Sequence, residues 1–288
     1  MEFVLVLPGE VHLDGIDLPV ASPFYISTTE LSNAQFAQLR HHGQLNRYAD
    51  FAFESSMWAR LDVEVAGCDL DRIFDYFSDP ELPIVGVDLT DAAVVSARLS
   101  TTLRMHVRLP TLGEWFQAMR SGSPGPYWWD EGTLAERRSE GCTMPREVSC
   151  ELMQELSDVN VGEQNALGIR NMLNNVAELV VPSDEERQML RRRFGPNATE
   201  AIREPDRAAG MAISQHGALA IGGSVQTLSG WALLSADEFV ATWEGILAWS
   251  QINVKQSPCY ELQWATGMRL VIDLPDGEWR IREGGSER

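Results

Sequence analysis

Helix starts set among short apolar runs are what most limit the folds open to this chain. A helix leaves its first N–H groups without partners, and a Ser, Thr or Asp just before it supplies an oxygen to them. Ser32 with Gln35 makes a capping box, flanked by Leu31 and Phe36 as a hydrophobic staple, and predicts a helix from Asn33 to about Leu39. Asp88 with Asp91 opens a second, through Ala92 and Val95 to Leu99. Thr111 with Glu114 opens a third, carrying Trp115 and Ala118. Ser183-Asp184-Glu185-Glu186 starts a fourth, with Arg191-Arg192-Arg193 in its last turn and Gly195-Pro196 to stop it. Ser235-Ala236-Asp237-Glu238 starts a fifth, whose Phe239, Trp243, Ile246 and Leu247 recur as one apolar stripe.

The runs between these starts read as strands. Phe3 to Leu7 is the first, and Pro8-Gly9 and Gly15 break the following stretch into further strands and turns. Ala218–Ile221 and Met268–Ile272 are later strands. A few helices, many short strands and much loop give an α+β chain. No repeat, low-complexity run or linker divides it, so one domain is expected over 1–282, with Glu283 to Arg288 as a flexible tail.

Composition excludes whole classes of function. The chain sets 23 Lys+Arg against 42 Asp+Glu, a formal net charge of −19 over 288 residues. Such a body repels nucleic-acid phosphates and anionic membranes, whose recognition needs clustered cations. No run approaches the roughly 18–20 apolar residues of a membrane helix. The N-terminal apolar run lacks a basic segment and falls short of the roughly 7–15 residue core of a signal peptide, so a cytoplasmic protein is expected. Cys68, Cys142, Cys150 and Cys259 form no Cys-x-x-Cys pair and read as free thiols.

Several segments, in order, resemble the formylglycine-generating enzyme (sulfatase-modifying factor) family. They begin with Phe3-Val4-Leu5-Val6-Leu7-Pro8-Gly9-Glu10, then Pro23-Phe24-Tyr25-Ile26 with Glu30-Leu31-Ser32-Asn33. Pro83 to Ala92 follows, then Arg108-Leu109-Pro110-Thr111 with Glu114-Trp115 and Ala118. Asn165 to Met172 with Asn175-Val176-Ala177-Glu178, Ile221-Gly222-Gly223-Ser224-Val225 and Gly267-Met268-Arg269-Leu270 complete the series. The resemblance implies an irregular, loop-rich α+β fold related to C-type lectins. Taken as scaffold, the same motifs are caps and turns, and Arg108 is expected to pair with a buried carboxylate.

The resemblance also implies an oxidase that binds copper through two cysteines after the Gly-Gly-Ser segment, thiolates being suited to Cu(I). The matching positions here are Thr227 and Ala232. Neither side chain can act as a thiolate, so no copper is expected. Asn175 and Glu178, with the Val176 carbonyl, stand where the family holds a structural calcium in hard oxygen ligands; the alternative is that they hydrogen-bond the local loop.

Residues 182–216 and 227–258 depart from the family pattern as divergent insertions. The second contains Trp231, Phe239, Trp243 and Trp249. These read either as a core-packed stripe or as a partner-binding surface, since Trp is enriched at binding hot spots. The expectation is a catalytically inactive protein-binding module in a bacterial assembly or conflict system. The alternatives are an enzyme with relocated chemistry, for which Cys259 is the candidate thiol, and a small-ligand or carbohydrate binder.

Overall fold

The computed structural model describes residues 1–13, 16–41, 78–85, 87, 89–123, 128, 157–162, 164–172, 175–194, 219–221 and 266–274. In chain order they form β1 (Phe3–Val6), β2 (Gly9–Leu13), β3 (Ile16–Val20), β4 (Phe24–Ser27), α1 (Asn33–His41) and α2 (Leu89–Leu103). There follow β5 (Val107–Arg108), α3 (Leu112–Arg120), β6 (Ala177–Val180), α4 (Asp184–Phe194), β7 (Leu219–Ile221), β8 (Thr266–Gly267) and β9 (Val271–Asp273). The mixture of a few helices with short strands is α+β, as the sequence predicts.

Four strands form an antiparallel sheet in the order β1-β4-β9-β5. Successive side chains on a strand point to opposite faces, and here both faces are covered. Phe24, Ile26 and Val271 enter one hydrophobic cluster, with Trp115 of α3 and with Val11 and Leu18 of the β2–β3 hairpin. On the opposite face Tyr25, Ile272 and Val107, which share a register row, meet Leu31 just before α1, Phe36 of α1 and Val95 of α2. Strands from both ends of the sequence meet in this sheet.

The caps form as their chemistry requires. The Gln35 amide donates to Ser32 Oγ at 3.3 Å and the Ser32 amide to Gln35 Oε1 at 3.2 Å. The Glu114 amide donates to Thr111 Oγ1 at 3.3 Å and the Thr111 amide to Glu114 Oε2 at 2.8 Å. Both first helices outrun their expected ends: α1 reaches His41, and α2 reaches Leu103, where Arg104 turns the chain at a φ of 56°. α4 begins at its own box, with the Ser183 amide donating to Glu186 Oε2 at 2.6 Å. Glu186 is not a solvated first-turn acid. It is buried and also accepts from the Gly113 amide at 2.6 Å and the Leu112 amide at 3.4 Å. One carboxylate thus serves two helix N-termini.

The strand expected over Met268–Ile272 is shorter. Met268, Arg269 and Leu270 are all fully buried and lie between the two strands β8 and β9. The carbonyls at Met268 and Leu270 accept from the Leu31 and Ser27 amides at 2.9 Å each. The fifth expected helix, from Ser235, lies outside the described residues.

Candidate functional site

β6 is the middle strand of a second sheet ordered β7-β6-β8. Glu178 stands opposite Ile221 of β7 on one side and Gly267 of β8 on the other. Neighbouring strands lie about 4.8 Å apart, so the backbones at Ile221 and Gly267 are roughly 10 Å apart across β6. The span between residues 221 and 266 therefore departs beside Glu178 and returns beside the adjacent Ala177.

The Glu178 side chain is fully buried and faces a cation. Arg269, equally buried, donates from Nη2 to Glu178 Oε1 at 2.6 Å and from Nε to both oxygens at 3.0 Å. The Trp115 indole donates to Glu178 Oε2 at 2.6 Å. The rest of the guanidinium is spent on backbone: Nη1 on the Ser27 carbonyl and Nη2 on the Arg170 carbonyl, each at 2.8 Å. A buried cation persists only if paired and saturated with acceptors, and Arg269 satisfies that requirement.

A second buried carboxylate, Glu30, adjoins this pair. It accepts from the Asn171 amide group at 3.0 Å and the Asn175 amide group at 3.1 Å. Burial pushes its carboxyl up to about 8, the charge on Glu178 pushing the same way and Arg269 and the two amides opposing. Near neutral pH Glu30 is therefore largely protonated, and the dry cluster holds one full anion against one full cation. Asn171 and Asn175 both have positive φ, 58° and 66°, a conformation Asn tolerates better than other residues with a Cβ.

Asn175 and Glu178 thus lie close together, as the sequence suggests, but their oxygens are engaged. Asn175 Oδ1 accepts from the Ser157 amide at 3.0 Å, and Glu178 accepts from Arg269 and Trp115. Calcium needs several oxygens gathered around one point. An ion drawing on these would compete with Arg269, the indole and the Ser157 amide. Val176 is buried in the α1–α2 cluster.

With this geometry in place, comparison with known proteins is decisive for one point. The family model for the sulfatase-modifying factor enzyme 1-like domain matches residues 1–239. The chain belongs to that family. Solved structures similar to this sulfatase-modifying-factor-like chain include PvdO from Pseudomonas aeruginosa, at 17% identity over 94% of each chain with a TM-score of 0.48. Another is CarF, at 17% identity over 95% of this chain and 98% of that one, also with a TM-score of 0.48. None of the curated proteins compared with it matches.

Of the residues singled out in this family member for partner binding or lost chemistry, Trp231, Phe239, Trp243, Trp249, Thr227, Ala232 and Cys259 lie outside the described residues. Their segment belongs to the span that leaves at Ile221 and returns at Thr266. Among the described residues no helix is long and apolar enough to cross a membrane. What the sequence reading missed is the joining of Glu30, Asn171, Asn175, Glu178 and Arg269 into one cluster. The available signal was an Arg within an otherwise apolar run, Met268-Arg269-Leu270-Val271-Ile272.

Proposed function

We propose that this protein is a member of its family without copper oxidase chemistry, serving as a protein-binding module in a bacterial assembly or conflict system. One observation carries the reading: where the resemblance implies two copper-binding thiolates, the chain has Thr227 and Ala232. Neither a hydroxyl nor a methyl group replaces a thiolate as a Cu(I) ligand. The span that bears them is tied at both ends beside Glu178, so a changed sequence there sits on a kept scaffold. In this reading Trp231, Phe239, Trp243 and Trp249 form the partner-facing surface, and one domain extends over 1–282.

The same reading gives the Asn175–Glu178 turn its order through Arg269, with structural calcium as a competitor for those oxygens. The melting temperature is then expected to be the same in excess calcium and in EDTA; a rise with calcium would return the ion to Asn175, Val176 and Glu178.

The test of function has two arms. Copper-loaded protein, incubated with a cysteine-containing peptide and oxygen, is expected to form no aldehyde, and aldehyde formation overturns the reading. A tagged chain recovered from its native host is expected to bring down one stoichiometric partner, lost in Trp231→Ala/Trp243→Ala. Recovery of no partner at all counts against a binding module.

A further inference from the structure

The β2–β3 hairpin has a buried face and an open one. Val11 and Leu18 are fully buried in the cluster with α3, and alternation puts Glu10, His12 and Asp17 on the opposite, exposed face. The register sets His12 directly across from Asp17, with Glu10 two residues back on the same strand. Arg120, in the last turn of α3, donates to the His12 carbonyl at 2.8 Å, which ties the backbone down at that residue. One ligand atom from each of the three side chains lies within 4.8 Å of the others.

The two carboxylates act on the imidazole differently. Asp17 Oδ1 lies 2.6 Å from His12 Nδ1. A carboxylate only accepts, so Nδ1 carries a proton in this contact, which leaves Nε2 as the ring nitrogen through which an ion would be bound. Nε2 faces Glu10 Oε2 at 3.8 Å, too far for a hydrogen bond. Two ligands at about 2.1 Å from a tetrahedral zinc-class ion are themselves about 3.4 Å apart, so a small rotation of the exposed Glu10 side chain brings both atoms to one cation. A histidine that donates one ring N–H to a carboxylate while its other nitrogen binds is the arrangement that orients metal ligands.

We propose that Glu10 and His12 form a binding site for a divalent transition-metal ion of the zinc class, with Asp17 fixing the imidazole from behind and water completing the coordination. The imidazole nitrogen favours such an ion over calcium or magnesium, which take oxygen. The inference is independent of the binding-module reading, because the hairpin shares no residue with the span from 221 to 266.

The probe is Zn²⁺ alone, titrated into the full chain labelled with ¹⁵N-histidine. The His12 Nε2 resonance is expected to shift and saturate, and Mg²⁺ at the same concentration to leave it in place. His106 also faces an aspartate through Nδ1, that of Asp273, but among the described residues it belongs to no such three-residue group, and it is expected to respond far less. Glu10→Gln is expected to weaken binding at least tenfold, and Asp17→Asn by about 10–100-fold. These side chains are exposed, so circular dichroism unchanged from the parent shows that the variants fold. A His12 signal unmoved by millimolar Zn²⁺, or a titration indifferent to Glu10→Gln, overturns the proposal.

Discussion

Two arginines lie on the same C-terminal segment or against it, and they live in opposite media. Arg269 sits in a dry cluster with Glu178 and Glu30, all without exposed surface. Arg108 sits at the rim of the main sheet, about a third exposed, where it bridges Glu114 at 2.7 Å and Asp273 at 2.6 Å. Both make bidentate carboxylate contacts. Inside, removing one partner strands the other in a medium that cannot solvate it; at the rim, water replaces what is lost. The comparison teaches that contact geometry alone does not rank ion pairs, and that the cost of breaking each one follows its surroundings.

The sharpest way to break the comparison is Arg269→Leu. It leaves Glu178 without its cation and the Ser27 and Arg170 carbonyls without that donor. The expected loss is about 3–5 kcal/mol in urea denaturation. A loss below about 1 kcal/mol would place the cluster on the same footing as a surface pair.

Glu30 sharpens the same point through pH. Its carboxyl rises from an ordinary 4.5 to about 8 on folding. Between those values the folded protein keeps a proton that the unfolded chain has released, so stability is greatest below the lower value and falls as pH rises through the higher. The slope is at most about 1.4 kcal/mol per pH unit, which makes about 2–3 kcal/mol between roughly pH 6 and pH 8. Glu30→Gln keeps an oxygen for Asn171 or Asn175 and cannot ionise. Its stability is expected to lack that decline, measured as the difference between denaturation curves of the two proteins across the same range. Equal slopes would show that Glu30 does not titrate in this window.

Local chemistry made part of this legible in advance. The capping boxes at Ser32, Thr111 and Ser183 need residues three apart, so the sequence carries them whole. The expectation that Arg108 meets a buried carboxylate holds through Glu114, six residues away. Asp273 is not legible in that way, since 165 residues separate it from Arg108 and only the β5–β9 register brings them together. Glu186 illustrates the limit well: its place in a first turn is readable, and its reach to Gly113 depends on how two helices pack. At Asn175 and Glu178 an acidic side chain beside an amide reads equally well as a calcium turn or as half of an ion pair whose cation is 91 residues away.

The rim pair gives the smallest effect and the test of screening. Arg108→Met keeps the aliphatic stem and removes the charge. The expected loss is about 1 kcal/mol at low salt, since charge-assisted bidentate contacts exceed the ordinary surface pair but water competes for them. It is expected to shrink at about 1 M salt, where the screening length is near 3 Å, whereas the Arg269→Leu loss changes little. Burial tends to raise the Asp273 carboxyl, but Arg108 and His106 outweigh it and hold the group below its ordinary 3.8. The stabilisation it lends is therefore present above that value and disappears as pH falls through the lowered one. The gap between parent and Arg108→Met should accordingly close in acid. A gap that persists in both high salt and acid would mean that Arg108 contributes through the packing of its stem on the sheet rim and not through its charge.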